Sequence, residues 1–97
     1  MLSKDAQTWH DAITQEWDLD PPALLILNAA MESYDRMREA QAVVNAEGLL
    51  TTDRFGQQRP HPATLIERDS RQAMERALKS LNLDIEPIGA VGRPPGD

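Results

Sequence analysis

Apolar positions near the start of the chain recur at helical spacing. Leu2, Ala6, Trp9, Ile13 and Trp17 step by four, three, four and four, which places them on one side of a helix over about residues 3–18. Ser3 stands where an N-cap belongs. Asp18-Leu19-Asp20-Pro21-Pro22 ends this helix, because a proline disfavours the helical conformation in the residue before it, and Asp20 with the prolines starts the next one. The residues after Pro22, as far as Glu47, contain neither glycine nor proline and are rich in Ala, Leu, Met, Glu, Arg and Gln. They predict a single rod of roughly 39 Å at a rise of about 1.5 Å per residue. Its stripe runs through Leu27, Ala30, Tyr34, Met37 and Val44, with Gln41 as an interruption. Residues 23–27, Ala-Leu-Leu-Ile-Leu, have no polar face and must be covered on every side. Three short helices of one subunit are not expected to do so. Leu24, Leu27, Met31, Tyr34, Met37 and Val44 are therefore expected to form an interface between copies.

Gly48 closes the long helix in the usual place. Leu49-Leu50-Thr51-Thr52 and Gln57-Gln58-Arg59-Pro60 flank Asp53-Arg54-Phe55-Gly56, where the glycine supplies a turn, so a small β-hairpin is expected. His61-Pro62 opens a third helix, reaching about Asn82, with Ile66, Ser70, Ala73, Ala77 and Leu81 on one face and Leu65, Met74 and Leu78 widening it. Residues 84–97 hold three prolines and three glycines and predict a flexible tail. The expected fold is mainly α: a helical hairpin with one long central helix plus a third helix, and a small β-hairpin inserted between helices two and three. Residues 1–83 form a single domain and 84–97 the tail.

Ninety-seven residues suffice for one modest core. No cysteine is present, which excludes disulfides, cysteine-ligated zinc, iron–sulfur clusters and a thiol nucleophile, and fits a reducing compartment. Met1-Leu2-Ser3-Lys4-Asp5 lacks the apolar core of a signal peptide, and the run at 23–27 is too short for a bilayer. A soluble intracellular protein without a membrane partner is expected. The net charge of −6 argues against nucleic acid, but it is segregated. Residues 1–53 carry three basic and ten acidic groups, residues 54–79 six and three, and residues 80–97 one and three.

Convergent polar groups of the kind an enzyme needs are few. Asp18 and Asp20 sit beside prolines as capping residues do. His10 faces away from the first apolar stripe, and His61 lies between prolines as an N-cap or linker residue. Neither has a companion ligand at metal spacing. No catalytic residue, metal site or cofactor is expected. The basic third is more informative. Arg54 and Arg59 bracket the hairpin tip, and Arg68, Arg71, Arg76 and Lys79 continue along the third helix. Helical geometry brings Arg68, Arg71 and Lys79 to within about 80° of one another and sets Arg76 apart. These six are either a solvated face paired with Glu67, Asp69 and Glu75 or a phosphate-binding surface, which repetition around an oligomer would strengthen.

The order of motifs resembles a class of small phage terminase small subunits. It comprises Trp9, Pro21-Pro22, a long helix ending in Glu47-Gly48-Leu49, Phe55-Gly56, His61-Pro62-Ala63 with Ile66-Glu67-Arg68-Asp69, and Leu78-Lys79-Ser80-Leu81-Asn82-Leu83. The likeness spans about residues 6–84; where the family's closing segment commonly has Gly-Leu followed by Thr-Pro and an arginine-bearing stretch, this chain has Asn82-Leu83-Asp84-Ile85-Glu86-Pro87. The resemblance implies a non-enzymatic packaging component in the host cytoplasm. It implies a homo-oligomeric ring of about nine copies that recognises double-stranded viral DNA at the packaging initiation site and recruits the terminase large subunit, the ATPase–nuclease. A helical adaptor or regulatory subunit without DNA binding is the alternative, and it would lack salt-dependent DNA binding.

Overall fold

The computed structural model describes residues 1–83, and the expected tail over 84–97 lies outside them. The described elements are α1 (Lys4–Glu16), α2 (Pro21–Glu47), β1 (Leu50–Thr52), β2 (Gln58–Pro60) and α3 (Pro62–Ser80). The mainly α architecture with an intervening hairpin is the one the sequence pattern predicts. Each helix begins on a side chain that accepts from a backbone N–H left free at the first turn. Ser3 caps Ala6, Asp20 caps Ala23 at 3.0 Å, and the His61 ring nitrogen Nδ1 caps Ala63 at 3.0 Å. Gly48 follows α2 with φ of 91°, a conformation that costs a residue without a side chain little.

α3 packs back along α2, so that Ala63 comes near Ala40 at one end and Met74, Leu78 and Leu81 reach the start of α2 at the other. α1 closes the core over the first half of α2. Ala6, Ile13, Leu27, Ala30 and Met31 are its buried centre, with Leu2, Trp17, Leu19, Tyr34 and Leu83 packed around them. Two polar ties fix α1: the Ser3 N–H donates to Asp35 at 2.7 Å, and the Tyr34 hydroxyl donates to Asp5. The hydrogen bond to Asp5 holds the Tyr34 phenol above its ordinary pKa, with desolvation adding to it. Gln41, which interrupts the α2 stripe, is met by Glu67 of α3 at 3.4 Å.

Leu27, Met31 and Met37 are buried within the chain itself, and Leu24, Tyr34 and Val44 are half-buried. At the apolar start of α2, Leu27 is covered within the chain by α1 and the end of α3, while Leu25 remains 72 % exposed. Three further positions differ. Trp9 is 52 % exposed rather than inward, and Leu65 and Ile66 lie outward. The small Ala40 and Ala63 leave little depth between α2 and α3 at that end, so bulkier neighbours sit at its margin. His10 is half-buried rather than solvated, with Nδ1 lacking a hydrogen-bond partner among the described residues. No helix is long and apolar enough to cross a membrane among the described residues.

Candidate nucleic-acid interface

β1 and β2 pair antiparallel with Leu50 opposite Pro60, Thr51 opposite Arg59 and Thr52 opposite Gln58, and all six residues are exposed. The tip is organised by Asp53. Its carboxylate accepts from the Phe55 N–H at 2.8 Å, the Gln57 N–H at 3.0 Å and Arg59 Nε at 3.1 Å. Gly56 closes the turn with φ of 79° and donates to the Asp53 carbonyl at 3.0 Å. The Arg54 guanidinium lies 5.0 Å from the centre of the Phe55 ring, a cation–π arrangement that holds the arginine at the tip. At the base, His61 Nε2 meets Glu47 at 2.9 Å. Because Nδ1 accepts from Ala63, the ring proton resides on Nε2 and is donated to Glu47, which ties the end of α2 to the start of α3.

The Gln57 N–H is the foremost cause holding the Asp53 carboxyl below the usual aspartate range; desolvation opposes it, and Arg59 and the Phe55 N–H add to it. A lowered folded-state pKa means that this contribution to hairpin stability is present above the ordinary aspartate value and is lost as pH falls through the folded value. Acidification through that range is therefore expected to expose the Phe55 and Gln57 amides while the helices persist. Amide exchange of these two residues, followed against pH beside that of α2, checks the expectation.

Arg68, Arg71, Arg76 and Lys79 are all exposed on α3, away from the Ser70 side that is buried against α2. Three of the six cations are engaged: Arg59 with Asp53, Arg68 with Asp69 at 3.3 Å, and Arg71 with Glu67 at 2.8 Å. Arg54, Arg76 and Lys79 have no carboxylate within salt-bridge distance among the described residues. The structure thus does not gather all six into one uniform patch. It presents Arg54 at the hairpin tip, Arg68 and Arg71 on the first half of α3, and Arg76 and Lys79 at its far end. Exposed pairs of this kind are worth at most about 1 kcal/mol, so the pairings of Arg59, Arg68 and Arg71 cost little to break. Asp53, Phe55 and Glu47 are the positioning residues that sequence reasoning missed; the six-residue separation of Asp53 and Arg59 becomes a contact only once the hairpin register is known.

No group of three or more His, Cys, Asp or Glu side chains suited to a metal occurs among the described residues. The chemistry available at this surface is electrostatic, supplied by exposed cations. A family model described as phage terminase, small subunit, matches residues 8–96. No curated protein and no solved structure matches.

Proposed function

The chain belongs to the phage terminase small-subunit family, and on that premise we propose that it recognises double-stranded viral DNA at the packaging initiation site and recruits the large ATPase–nuclease subunit. In this reading it is a non-catalytic component acting in the host cytoplasm, and residues 1–83 serve both assembly and DNA binding. The observation that carries the DNA-binding part is the set of exposed cations on the hairpin and outer face of α3, of which Arg54, Arg76 and Lys79 lack carboxylate partners among the described residues. Arg59, Arg68 and Arg71 add further, carboxylate-paired cations between these separate points of phosphate contact.

Assembly into a closed homo-oligomer supports this role, because a modest patch repeated around a ring gains from effective concentration. Its interface uses the half-buried Leu24, Tyr34 and Val44 with the neighbouring exposed Leu25 and Val43, while Leu27, Met31 and Met37 act from beneath as core. The hairpin favours the same reading. A two-stranded hairpin is marginal alone in water, and Leu49, Leu50 and Phe55, at 66, 54 and 75 % exposure, offer a neighbouring copy an apolar surface.

Native mass measurement combined with DNA binding at two salt concentrations tests the proposal. A closed oligomer whose affinity falls steeply with salt is expected. An oligomer that pulls down the large subunit but binds no DNA at low salt would make the chain an adaptor instead, a reading its net charge of −6 favours.

A further inference from the structure

Two of the motifs read from the sequence, Glu47-Gly48-Leu49 and His61-Pro62-Ala63, meet in one hydrogen-bonded joint between the end of α2, the base of the hairpin and the start of α3. His61 is its centre. The His61 N–H donates to the Leu49 carbonyl at 2.7 Å and closes the hairpin base. Its carbonyl accepts from the Thr64 N–H at 2.9 Å and from the Thr64 hydroxyl at 2.7 Å. Its ring, only 12 % exposed, reaches both helices: Nδ1 accepts from the Ala63 N–H at 3.0 Å, and Nε2 donates to Glu47 at 2.9 Å.

The start of α3 depends on that ring. Pro62 has no N–H to satisfy, and the Thr64 N–H is met by the His61 carbonyl, so the Ala63 N–H is the donor that rests on Nδ1 alone. Ala63 is buried against α2, where water does not readily take the place of a lost acceptor. Accepting from Ala63 requires a bare Nδ1 and therefore a neutral ring. A ring with two protons would set N–H against N–H at the positive end of the helix dipole. The bond to Glu47 has the opposite preference, because a charged donor strengthens it. The two bonds of one side chain thus answer a proton in opposite directions.

The surrounding charges leave this balance to few groups. From α2, Glu47 is bonded to the ring, and Arg36 and Glu39, of opposite sign, line the same groove as His61. From the hairpin, Arg59 is turned to Asp53. The first turn of α3, Pro62 to Ile66, has no ionisable side chain, and Glu67 beyond it pairs with Arg71.

We propose that His61 is a proton-operated joint. With a neutral ring it locks the hairpin base and both helices together; on taking a second proton it keeps Glu47 and gives up Ala63, which loosens the first turn of α3. The cap is present above the pH at which that proton arrives and is lost below it. The placement of Arg54 and Arg59 on the hairpin relative to Arg68 and Arg71 on α3 is thereby set by one ring, whether or not this surface binds DNA.

The full chain, without DNA, tests this by nuclear magnetic resonance. Ring nitrogen shifts report the tautomer and the pH at which the second proton arrives, and the neutral ring should carry its proton on Nε2. Protection of the Ala63 amide, corrected for intrinsic exchange, should fall on the order of tenfold with the same midpoint while the amides of α2 keep theirs. In Glu47→Gln, which keeps an acceptor for Nε2 without its charge, both midpoints should move to lower pH together. In His61→Ser, whose hydroxyl caps without titrating, Ala63 protection should stay level over the range in which the wild type changes. A neutral ring with its proton on Nδ1 overturns the proposal. So does Ala63 protection that stays level while the wild-type ring titrates, or midpoints that separate in Glu47→Gln. The same fall in His61→Ser also overturns it, since another group would then be responsible.

Discussion

Leu27→Ala is expected to lower the thermal midpoint of the helical domain by roughly 10 to 40 °C, the shift that about 2 to 5 kcal/mol of lost core packing produces in a domain of this size. Leu27 is the large side chain with no exposed surface in the described structure, enclosed by α1, α2 and the end of α3. Truncation leaves a cavity that helices tied at both ends cannot collapse to fill. Leu27→Met, which keeps the volume, should cost less than about 1.5 kcal/mol. The experiment also separates the two roles this residue invites. A core residue lowers the helical melt at every protein concentration, whereas an interface residue leaves helix content intact and dissociates the assembly. Melts by far-UV circular dichroism at two concentrations, with native mass beside them, decide the matter. Loss of assembly with an unshifted melt would return Leu27 to the interface.

The same residue marks where sequence reasoning stopped. Helix starts were legible because capping is local chemistry: Ser3, Asp20 with Pro21 and Pro22, and His61 with Pro62 each announce a first turn within three residues. The end of α2 was legible from Gly48, and the hairpin from the glycine at 56 between two short runs. What covers a stripe is not local. Leu27, Met31 and Met37 have the same spacing whether the helix against them belongs to the same chain or to a neighbour. Only the return of α3 and the docking of α1 distinguish the cases. Trp9 fits the first stripe by period, yet the spacing between α1 and α3 leaves it at the lip of a groove. For the basic residues, the pairing of Arg71 with Glu67 follows from helical spacing alone, while that of Arg59 with Asp53 required the strand register.

An acidic chain approaching an acidic polymer needs its charges kept apart. Residues 1–53 hold three basic and ten acidic groups, a net of −7, and residues 54–79 hold six and three, a net of +3. Within the basic third the pairing is uneven, and this sets a ranking among the cations. Arg59, Arg68 and Arg71 must each release a carboxylate before holding a phosphate, whereas Arg54, Arg76 and Lys79 release only water and counterions.

Combined substitution of Arg54, Arg76 and Lys79 by Ala is therefore expected to weaken DNA binding on the order of a hundredfold at low salt and to reduce the salt slope by about three units, close to one per lost phosphate contact. The loss should be the same for the packaging site and for unrelated DNA, because phosphate contacts position a protein without reading sequence. Substituting Arg59, Arg68 and Arg71 should cost less, since each removal also frees an acidic partner from an exposed pair worth at most about 1 kcal/mol. None of the first three side chains belongs to the core, so native mass and the helical melt should match the wild type. Anisotropy titrations at several salt concentrations, on two DNA sequences, measure both quantities. A triple variant that still assembles and keeps the wild-type slope would remove the hairpin tip and the far end of α3 from the DNA-binding surface. A loss confined to the packaging site would mean that these cations touch bases, contrary to the phosphate-contact reading.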